Sequence, residues 1–328
     1  MTPMRARGLL ASLGLPDGDA HDLPRSRLRF PDGGEYRVEI PSVEGPAAFE
    51  AVQDEAAHRG VRVHRISQGS GIQLLTDEEI ERMVALGGER DVEVCLFTGP
   101  RASFDTGVQA ATGSGRVVAG ALRGADQLAY GVEDVLRACE LGVPGVLVAD
   151  LGQLMVLGRL KRGGDLPPDL TLKVSVQLPV ANPATARVLE DLGATTLNLP
   201  VDLPLAAIAA IRRAVDLPLD VYVEAADDFG GTVRHYEVPE LVRVAAPVFL
   251  KFTTRNAPGT YPSGRHLERL VRDLAAERVR RAAIGLAMLR RYYPEALEST
   301  RGGHPVPSVP SRVDAGPAGP AAGQEVVR

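Results

Sequence analysis

Four ionisable residues stand near the carboxyl ends of predicted strands, where they could do acid/base chemistry. Glu224 and His64, or Glu39 in place of His64, could move protons as general acid and base. Lys251 could stabilise negative charge that develops on a substrate. Because Glu224 and Lys251 fall on adjacent predicted strands at similar height, we expect them to form an ion pair. These four residues are the candidate catalytic set.

Other polar positions near the same ends could bind a substrate. Gln177 and Asn198 could orient it, and Arg255 could stabilise its charge. The pair Gly230 and Gly231 follows the seventh predicted strand, where barrels often bind phosphate through backbone N–H groups. A plain turn is the alternative interpretation of this glycine pair.

Two further chemistries remain open for these side chains. Lys251 could be a desolvated amine that forms a Schiff base, although a salt bridge to Glu224 would keep it charged. Carboxylates and one imidazole could bind a divalent metal ion. The residues of that hypothetical metal site are Glu39, Glu224, Asp227, Asp228 and His64. A metal- or lysine-dependent lyase or aldolase is therefore an alternative function, and a catalytically inactive barrel that acts as a partner or scaffold subunit is another.

Short apolar runs alternate with helical patterns from Tyr36 onward. The runs are 36–40, 61–66, 92–97, 143–149, 172–178, 194–199, 217–223 and 247–252. The helical patterns include 47–59, 77–86, 132–141, 183–192, 205–214 and about 264–292. Strand and helix in regular alternation indicate parallel β/α units, and the count of eight predicts an α/β fold, a (β/α)8 TIM-like barrel. A Gly- and Ser-rich interval, 99–125, predicts an insertion after the third strand.

Within these strands, aliphatic residues alternate with polar ones. In the fifth strand, for example, Val174 and Val176 alternate with Lys173 and Ser175. Successive side chains point to opposite faces, and the surrounding helices need the aliphatic face. We therefore predict a barrel with a polar lumen, whose buried charges must be paired, hydrated or in contact with a ligand. Its lower layer is predicted to be Arg37, Arg62 and Lys173 facing Glu93 and Asp220.

Composition divides the chain and limits its partners. The 328 residues are predicted to form a flexible N-terminal arm at 1–35, a barrel domain at 36–299 and a disordered Pro/Gly/Ala-rich tail at 300–328. A net charge of −5 argues against nucleic acid as a partner. The absence of an apolar window of membrane-spanning length and of a signal peptide favours a soluble, cytoplasmic protein. A small-molecule substrate is the expected partner, and homo- or hetero-oligomers remain open.

Several blocks of sequence resemble peptidase family U32, the collagenase-like peptidases, over roughly residues 130–256. The blocks are Val146–Gly152, Val176–Asn182, Asp191–Ala194 and Ile208–Arg213. In the eighth strand, Leu250–Arg255 occupies the place of the family's Leu-Lys-Ile-Glu-Gly-Arg segment. The resemblance implies a TIM-barrel enzyme, nominally a hydrolase of the peptidase type. Asp150, in the first block, is then a candidate substrate-binding residue.

The sequence departs from this family after the seventh strand. There the family carries a His-Gly-Ala segment with a nearby cysteine, whereas here Glu224 stands in place of the histidine and Asp228 near the cysteine position. Some family members hold an iron-sulfur cluster on four cysteines, but this chain has two, Cys95 and Cys139. We therefore expect no all-cysteine cluster, and the cofactor stays unknown. The predicted function is a U32-like barrel enzyme that acts on a small polar or anionic molecule.

Overall fold

The computed structural model describes residues 4–14, 22–105, 107–302 and 311–312. Eight parallel strands close into a barrel in the order β2 to β9, and each is followed by the helix of the same number. The barrel strands are β2 Tyr36–Pro41, β3 Arg65–Ser67, β4 Glu93–Phe97, β5 Gly145–Val148, β6 Thr171–Val174, β7 Thr196–Asn198, β8 Leu219–Glu224 and β9 Val248–Phe252. The helices are α1 Arg5–Ser12, α2 Pro46–Arg59, α3 Asp77–Arg90, α4 Gly124–Glu140, α5 Leu151–Gly163, α6 Pro183–Leu192, α7 Leu205–Ala214, α8 Val238–Ala245 and α9 Glu268–Tyr292. The prediction of a TIM-like (β/α)8 barrel is confirmed.

Local sequence signals explain where several helices begin and end. Thr76 Oγ1 accepts the N–H of Glu79 at 3.2 Å, and the Glu79 carboxylate accepts the N–H of Thr76 at 3.0 Å. This reciprocal pair is the predicted capping box of α3. Gly60 and Gly193 end α2 and α6 with positive φ angles of 63° and 112°, which glycine adopts without a steric penalty.

The strand faces divide as the alternation predicts. Outward residues such as Val38, Ile40 and Leu172 are fully buried in one apolar core shared with the helices. Inward residues such as Glu39 and Lys173 are polar and equally buried. The polar lumen is therefore confirmed.

One lumen residue differs from the prediction because β3 begins later than the apolar run indicates. Regular strand pairing begins at Arg65, so Arg65 and Ser67 point inward and Ile66 points into the apolar core. Arg62 precedes the strand, is exposed and donates to the carbonyl of Thr300 at 2.5 Å. The prediction that Arg62 lies in the lower layer is wrong, and Arg65 takes that role.

Two segments cover the N-terminal end of the barrel. Phe30 lies edge-on against Phe249 with ring centroids 5.3 Å apart, and the Arg37 guanidinium lies 4.2 Å from the Phe30 ring centroid. From the other segment, Ser299 Oγ accepts the Nε–H of Arg37 at 2.9 Å. The residues at 28–35 and 293–302 therefore close this end of the barrel.

The interval between β4 and α4 is an insertion, as predicted. Among its described residues are two short 3-10 helices, Val108–Ala111 and Ser114–Val118. Backbone hydrogen bonds join its two ends, from Ala102 N to Ala121 O at 3.0 Å and from Ser103 N to Ala119 O at 3.1 Å. The insertion is therefore a closed loop at the C-terminal end of β4.

The predicted terminal segments lie partly outside the described residues. In the predicted N-terminal arm, the structure describes α1 and a two-residue strand, β1 Leu28–Arg29. In the predicted tail it describes 300–302 and β10 Ser311–Arg312, which pairs antiparallel with β1. None of the helices in the described ranges has the length and apolarity needed to cross a membrane.

Candidate functional site

Lys251 lies at the floor of the barrel mouth and is held on three sides. Its Nζ is 3.1 Å from Glu39 Oε1 and 3.2 Å from Asn198 Oδ1. The same ammonium lies 4.4 Å from the ring centroid of Tyr222, a favourable cation–π position. Glu39 on β2 and Lys251 on β9 are direct register partners where the barrel closes. The strand pairing itself therefore places this ion pair.

Glu39 belongs to a network of alternating charges beneath Lys251. Lys173 contacts Glu39 and lies 3.0 Å from Asp220 Oδ2, while Arg65 lies 3.5 Å from Glu39 and 3.3 Å from Asp220. Arg65 Nε also donates to Glu93 at 2.7 Å. Burial alone would raise the pKa of Glu39, but the cations around it hold that pKa well below its usual value. The lower layer is thus a paired ionic network, as the strand alternation predicts.

Above this floor the barrel opens into a cavity of about 540 Å³. This volume falls within the range of small-molecule sites. Polar groups at the floor and wall include Lys251, Asn198, Ser67 and Gln177, and aromatic rings of Phe97, Phe104, Tyr222, Phe229 and Tyr261 supply much of the wall. The cavity therefore combines an apolar wall with a cation at its base.

The structure places two of the predicted substrate-binding residues in this cavity. Gln177 lies in the turn that follows β6, and Asn198 ends β7. Within the described residues, Gln177 Oε1 is buried and has no hydrogen-bond partner. An unsatisfied acceptor in a cavity wall is costly unless a ligand or water donates to it.

Glu224 is not in the lumen, which corrects the predicted Glu224–Lys251 pair. The pairing of β8 with β9 shifts after Tyr222, so that Val223 and Glu224 together oppose one residue, Phe252. This bulge turns the Glu224 side chain outward, where it lies 3.1 Å from His235 Nε2 and 3.7 Å from Arg281 of α9. Its other oxygen accepts the N–H of Arg255 at 3.0 Å, so Glu224 ties together two loops outside the barrel.

His64 is also displaced from its expected place at the mouth. It precedes β3, at the N-terminal end of the barrel, where its Nδ1 accepts the N–H of Val38 at 3.0 Å and its Nε2 lies 2.9 Å from the carbonyl of Ser299. Burial lowers the pKa of His64 to about 3. The ring therefore stays neutral and structural, at the opposite end from the cavity.

The remaining predicted binding residues lie beside the cavity and not in its lining. The Arg255 side chain is exposed and its Nε lies 3.1 Å from Asp227 Oδ1. A Cβ on Gly231 would lie 2.9 Å from both of those atoms, and φ is +63° there, so the turn requires glycine. Gly230, with φ of +108°, likewise belongs to the turn. This geometry explains the glycine pair without a phosphate.

Asp150 serves the fold around the site. One oxygen accepts the N–H of Gln153 at 2.8 Å and caps α5, and the other accepts the N–H of Leu122 at 3.1 Å. Asp150 therefore fixes the end of the insertion between β4 and α4 to the start of α5.

The hypothetical metal site is not assembled. Glu39 lies in the ionic network, His64 at the far end and Glu224 outside the barrel. In the part of the chain that the structure describes, no three His, Cys, Asp or Glu side chains converge as metal ligands would. The two cysteines are also apart in the fold, with Cys95 on β4 and Cys139 on α4.

Sequence reasoning missed two residues of this cavity. Tyr222 is one of several residues on the inward face of its strand, which strand alternation alone does not single out, and Arg101 lies in an aperiodic insertion. A signal for Lys251 was present in the composition. The chain contains only three lysines, and two of them, Lys173 and Lys251, lie in barrel strands.

Comparison with known families supports the resemblance seen in the sequence. The model of peptidase family U32 matches residues 116–227. No curated protein matches the chain.

Solved structures with a similar arrangement include a U32 peptidase, with 20% identity, a TM-score of 0.39, and coverage of 70% of this chain and 96% of that one. A thiamine phosphate pyrophosphorylase from Pyrococcus furiosus has 14% identity and a TM-score of 0.42, with 78% of this chain and 98% of that one covered. A 3-hexulose-6-phosphate synthase has 15% identity and a TM-score of 0.41, with 76% and 99% covered.

Proposed function

We propose that this chain, whose residues 116–227 match the model of peptidase family U32, is an enzyme that binds a small organic anion in the mouth cavity. The observation that carries the proposal is the position of Lys251. A lysine at the base of an aromatic-walled cavity, fixed between Glu39 and Asn198, presents a positive charge to whatever enters.

The partners of Lys251 favour electrostatic stabilisation over Schiff-base chemistry. An amine attacks a carbonyl only in its neutral form, whereas the form that pairs with the Glu39 carboxylate is the ammonium. An ammonium has three N–H donors, and Glu39 and Asn198 accept two of them. The third donor can meet a substrate oxygen. Lys251 is therefore suited to hold a carboxylate or a developing oxyanion.

Tyr222 supplies a hydroxyl group to the same cavity. Burial raises the pKa of its phenol well above the usual value, so the hydroxyl stays protonated at neutral pH. A phenol that holds its proton tightly can donate a hydrogen bond to a substrate oxygen. We therefore assign hydrogen-bond donation to Tyr222 and charge stabilisation to Lys251, in place of the acid/base roles that the sequence suggests for Glu224 and His64.

The wall of the cavity indicates the body of the substrate. Phe97, Phe104 and Phe229 offer apolar surface, and Gln177 offers an amide to a polar substituent. Aromatic rings contribute apolar contact and stacking, which suit a planar or branched hydrocarbon part. We infer a substrate with an apolar body and an anionic group that reaches the floor.

A thermal-shift panel tests this function. The panel consists of small aromatic and aliphatic carboxylates, including benzoate, each measured beside its primary amide. We expect carboxylates that bind to raise the melting temperature by mass action and their amides to have no such effect. The effect should disappear in Lys251→Met and persist in Lys161→Met, where the lysine on α5 donates to the carbonyl of Leu170.

Two results would contradict the proposal. If the amides stabilise the protein as much as the acids do, the negative charge of the ligand is not recognised. A panel without any stabilising member would favour the alternative of an inactive barrel that acts as a scaffold subunit.

A further inference from the structure

Arg101 is a second cation in the wall of the mouth cavity. It follows β4 and is 3% exposed, with its guanidinium carbon 3.8 Å from the ring centroid of Phe97 and 4.1 Å from that of Phe104. Its Nη2 donates to the carbonyls of Gly69 and, at 3.0 Å, Ser70. The guanidinium is thus fixed between two aromatic rings and a loop backbone.

In the described ranges no carboxylate forms an ion pair with this guanidinium, and its buried Nε has no acceptor. The carboxylate of Glu44 accepts the N–H groups of Gly69 and Ser70 at 2.8 and 3.0 Å and acts on Arg101 across that loop, without a direct contact. Burial lowers the pKa of Arg101 to about 10, which leaves it cationic at neutral pH. Arg65, by contrast, contacts three carboxylates within the barrel. A buried cation without a contacting counter-charge is costly, and a ligand anion that reached the guanidinium would recover part of that cost.

The location of Arg101 separates a ligand role from simple capping of carbonyls. Arg212 of α7 is also buried, with 5% exposure, donates to the carbonyls of Val215 and Ala245, and has a buried Nε without a partner among the described residues. Hydrogen bonds to these carbonyls are sufficient to explain the buried position of Arg212, which does not line the cavity. Arg101 shares each of these features and in addition faces the cavity that contains Lys251. Arg212 is therefore a matched control.

The two cations reach the cavity from different parts of the barrel. Lys251 rises from β9 at the floor, and Arg101 comes from the insertion that follows β4. Arg101 lies outside residues 116–227, the segment that matches the family model, and outside the 130–256 stretch that resembles the family in sequence, whereas Lys251 lies within that stretch. Of the two cations, Arg101 is therefore the one contributed from outside the family-like part of the chain.

We propose that Arg101 binds a second anionic group, a carboxylate or phosphate, so that the substrate is an organic dianion with one charge at Lys251 and the other at Arg101. This inference rests on the proposed function, because it assumes that the first anion occupies the Lys251 floor. The apolar body of the molecule then spans the aromatic wall between the two cations. Arg101 becomes a determinant of substrate specificity, since it distinguishes dianions from monoanions.

Matched pairs of dianion and half-amide test this inference by calorimetry. The probes are the linear dicarboxylates from succinate to suberate and terephthalate, each with its monoamide, and 4-carboxyphenyl phosphate. In the wild-type protein we expect the dianion whose length fits to bind about tenfold or more tightly than its half-amide, the factor that a charge-assisted hydrogen bond provides. Comparison of 4-carboxyphenyl phosphate with terephthalate shows whether Arg101 prefers a phosphate or a carboxylate. A preference for either one supports an anion-binding subsite at Arg101.

Substitutions then assign the effect to Arg101. In Arg101→Met the affinity ratio of dianion to half-amide should fall to about one, while the half-amide keeps its affinity within about threefold. Arg212→Met should leave the ratio unchanged. Arg101→Lys, which keeps the charge and loses the planar fork, should keep part of the preference.

Three outcomes would overturn the inference. One is a wild-type protein that binds no dianion more tightly than its half-amide. Another is an Arg101→Met protein that keeps the full preference, and the third is an equal loss of affinity for both members of a pair, which marks Arg101 as structural. In each case, the proposed function is tested separately by half-amide binding in Lys251→Met. Loss of that binding in Lys251→Met would support the proposed function, and unchanged binding would contradict it.

Discussion

Lys251 Nζ lies 3.1 Å from Glu39 Oε1, across the seam where the last strand of the barrel pairs with the first. The carboxylate of Glu39 also contacts Lys173 and lies 3.5 Å from Arg65. One buried acid therefore holds three cations, and Lys251 is the one that faces the cavity. This connection makes the candidate site depend on the ionic network below it.

Removal of the Glu39 charge should strongly destabilise the fold. In Glu39→Gln, three buried cations lose a shared counter-charge, and we expect a loss of about 3 to 5 kcal/mol in the free energy of unfolding. Urea denaturation measures this loss. The control is Glu55→Gln, which removes a surface i,i+4 pair with Arg59 and should cost about 0.5 kcal/mol or less. Equal small losses in both variants would show that the network is hydrated and does not hold the barrel together.

The buried His64 should make stability depend on pH. In the native state the pKa of His64 is about 3, so its imidazole stays neutral down to that pH. In the unfolded chain the same imidazole takes up a proton below about pH 6.5. This contribution to stability is complete above that pH and is lost as the pH falls towards 3. Between pH 7.5 and pH 5 we expect a loss of about 2 kcal/mol that is absent in His64→Gln.

The exposed His58 of α2 provides the comparison for that experiment. His58→Gln should keep the wild-type pH dependence. If His64→Gln and the wild-type protein show the same slope of unfolding free energy against pH, His64 is not the neutral, buried ring that the structure shows.

Substitution of Glu224 should affect the fold more than the site. Because the bulge in β8 turns this carboxylate towards His235 and the Arg255 N–H, Glu224→Gln should cost roughly 1 to 3 kcal/mol through lost charge-assisted hydrogen bonds. Thermal shifts from carboxylate ligands should stay as large as in the wild-type protein. If a folded Glu224→Gln protein loses those shifts, Glu224 contributes to ligand binding, which would contradict this prediction.

Truncation should separate the closing segment of the barrel from the residues beyond it. Of the contacts in the described ranges, a chain that ends at residue 302 loses the two-residue pairing of β10 with β1, and we expect its melting temperature to change little. A chain that ends at residue 294 also loses Ser299, which binds the Arg37 side chain and Asp32. We expect the second truncation to lower the melting temperature by many degrees, and similar values for both would contradict this account of the barrel's lower end.

Strand alternation was sufficient to predict the lumen, because a two-residue period is a direct consequence of strand geometry. Glu39, Lys173, Asp220 and Lys251 all point where that period places them. The same period failed at Glu224, since a bulge adds one residue to a strand without a change in composition. It also failed for His64, because the apolar run at 61–66 includes residues before the first regular pairing at Arg65.

Arg101 illustrates a different limit of sequence reasoning. It lies in an insertion without periodicity, so no pattern indicates that its side chain is buried or that it faces the cavity. Its position depends on long-range contacts with the Gly69–Ser70 backbone and the Phe97 ring. Only the folded chain brings these groups together.

The central claim is that an organic anion binds at Lys251, and lysine NMR tests it most directly. Because the chain has three lysines, protein labelled with 13C at lysine Cε gives three sets of side-chain signals, which Lys161→Met and Lys251→Met assign. On titration with terephthalate, or with the carboxylate that raises the melting temperature most, we predict that the Lys251 signal shifts and saturates while that of Lys161 stays in place. A ligand that stabilises the protein and leaves the Lys251 signal unmoved would contradict the account.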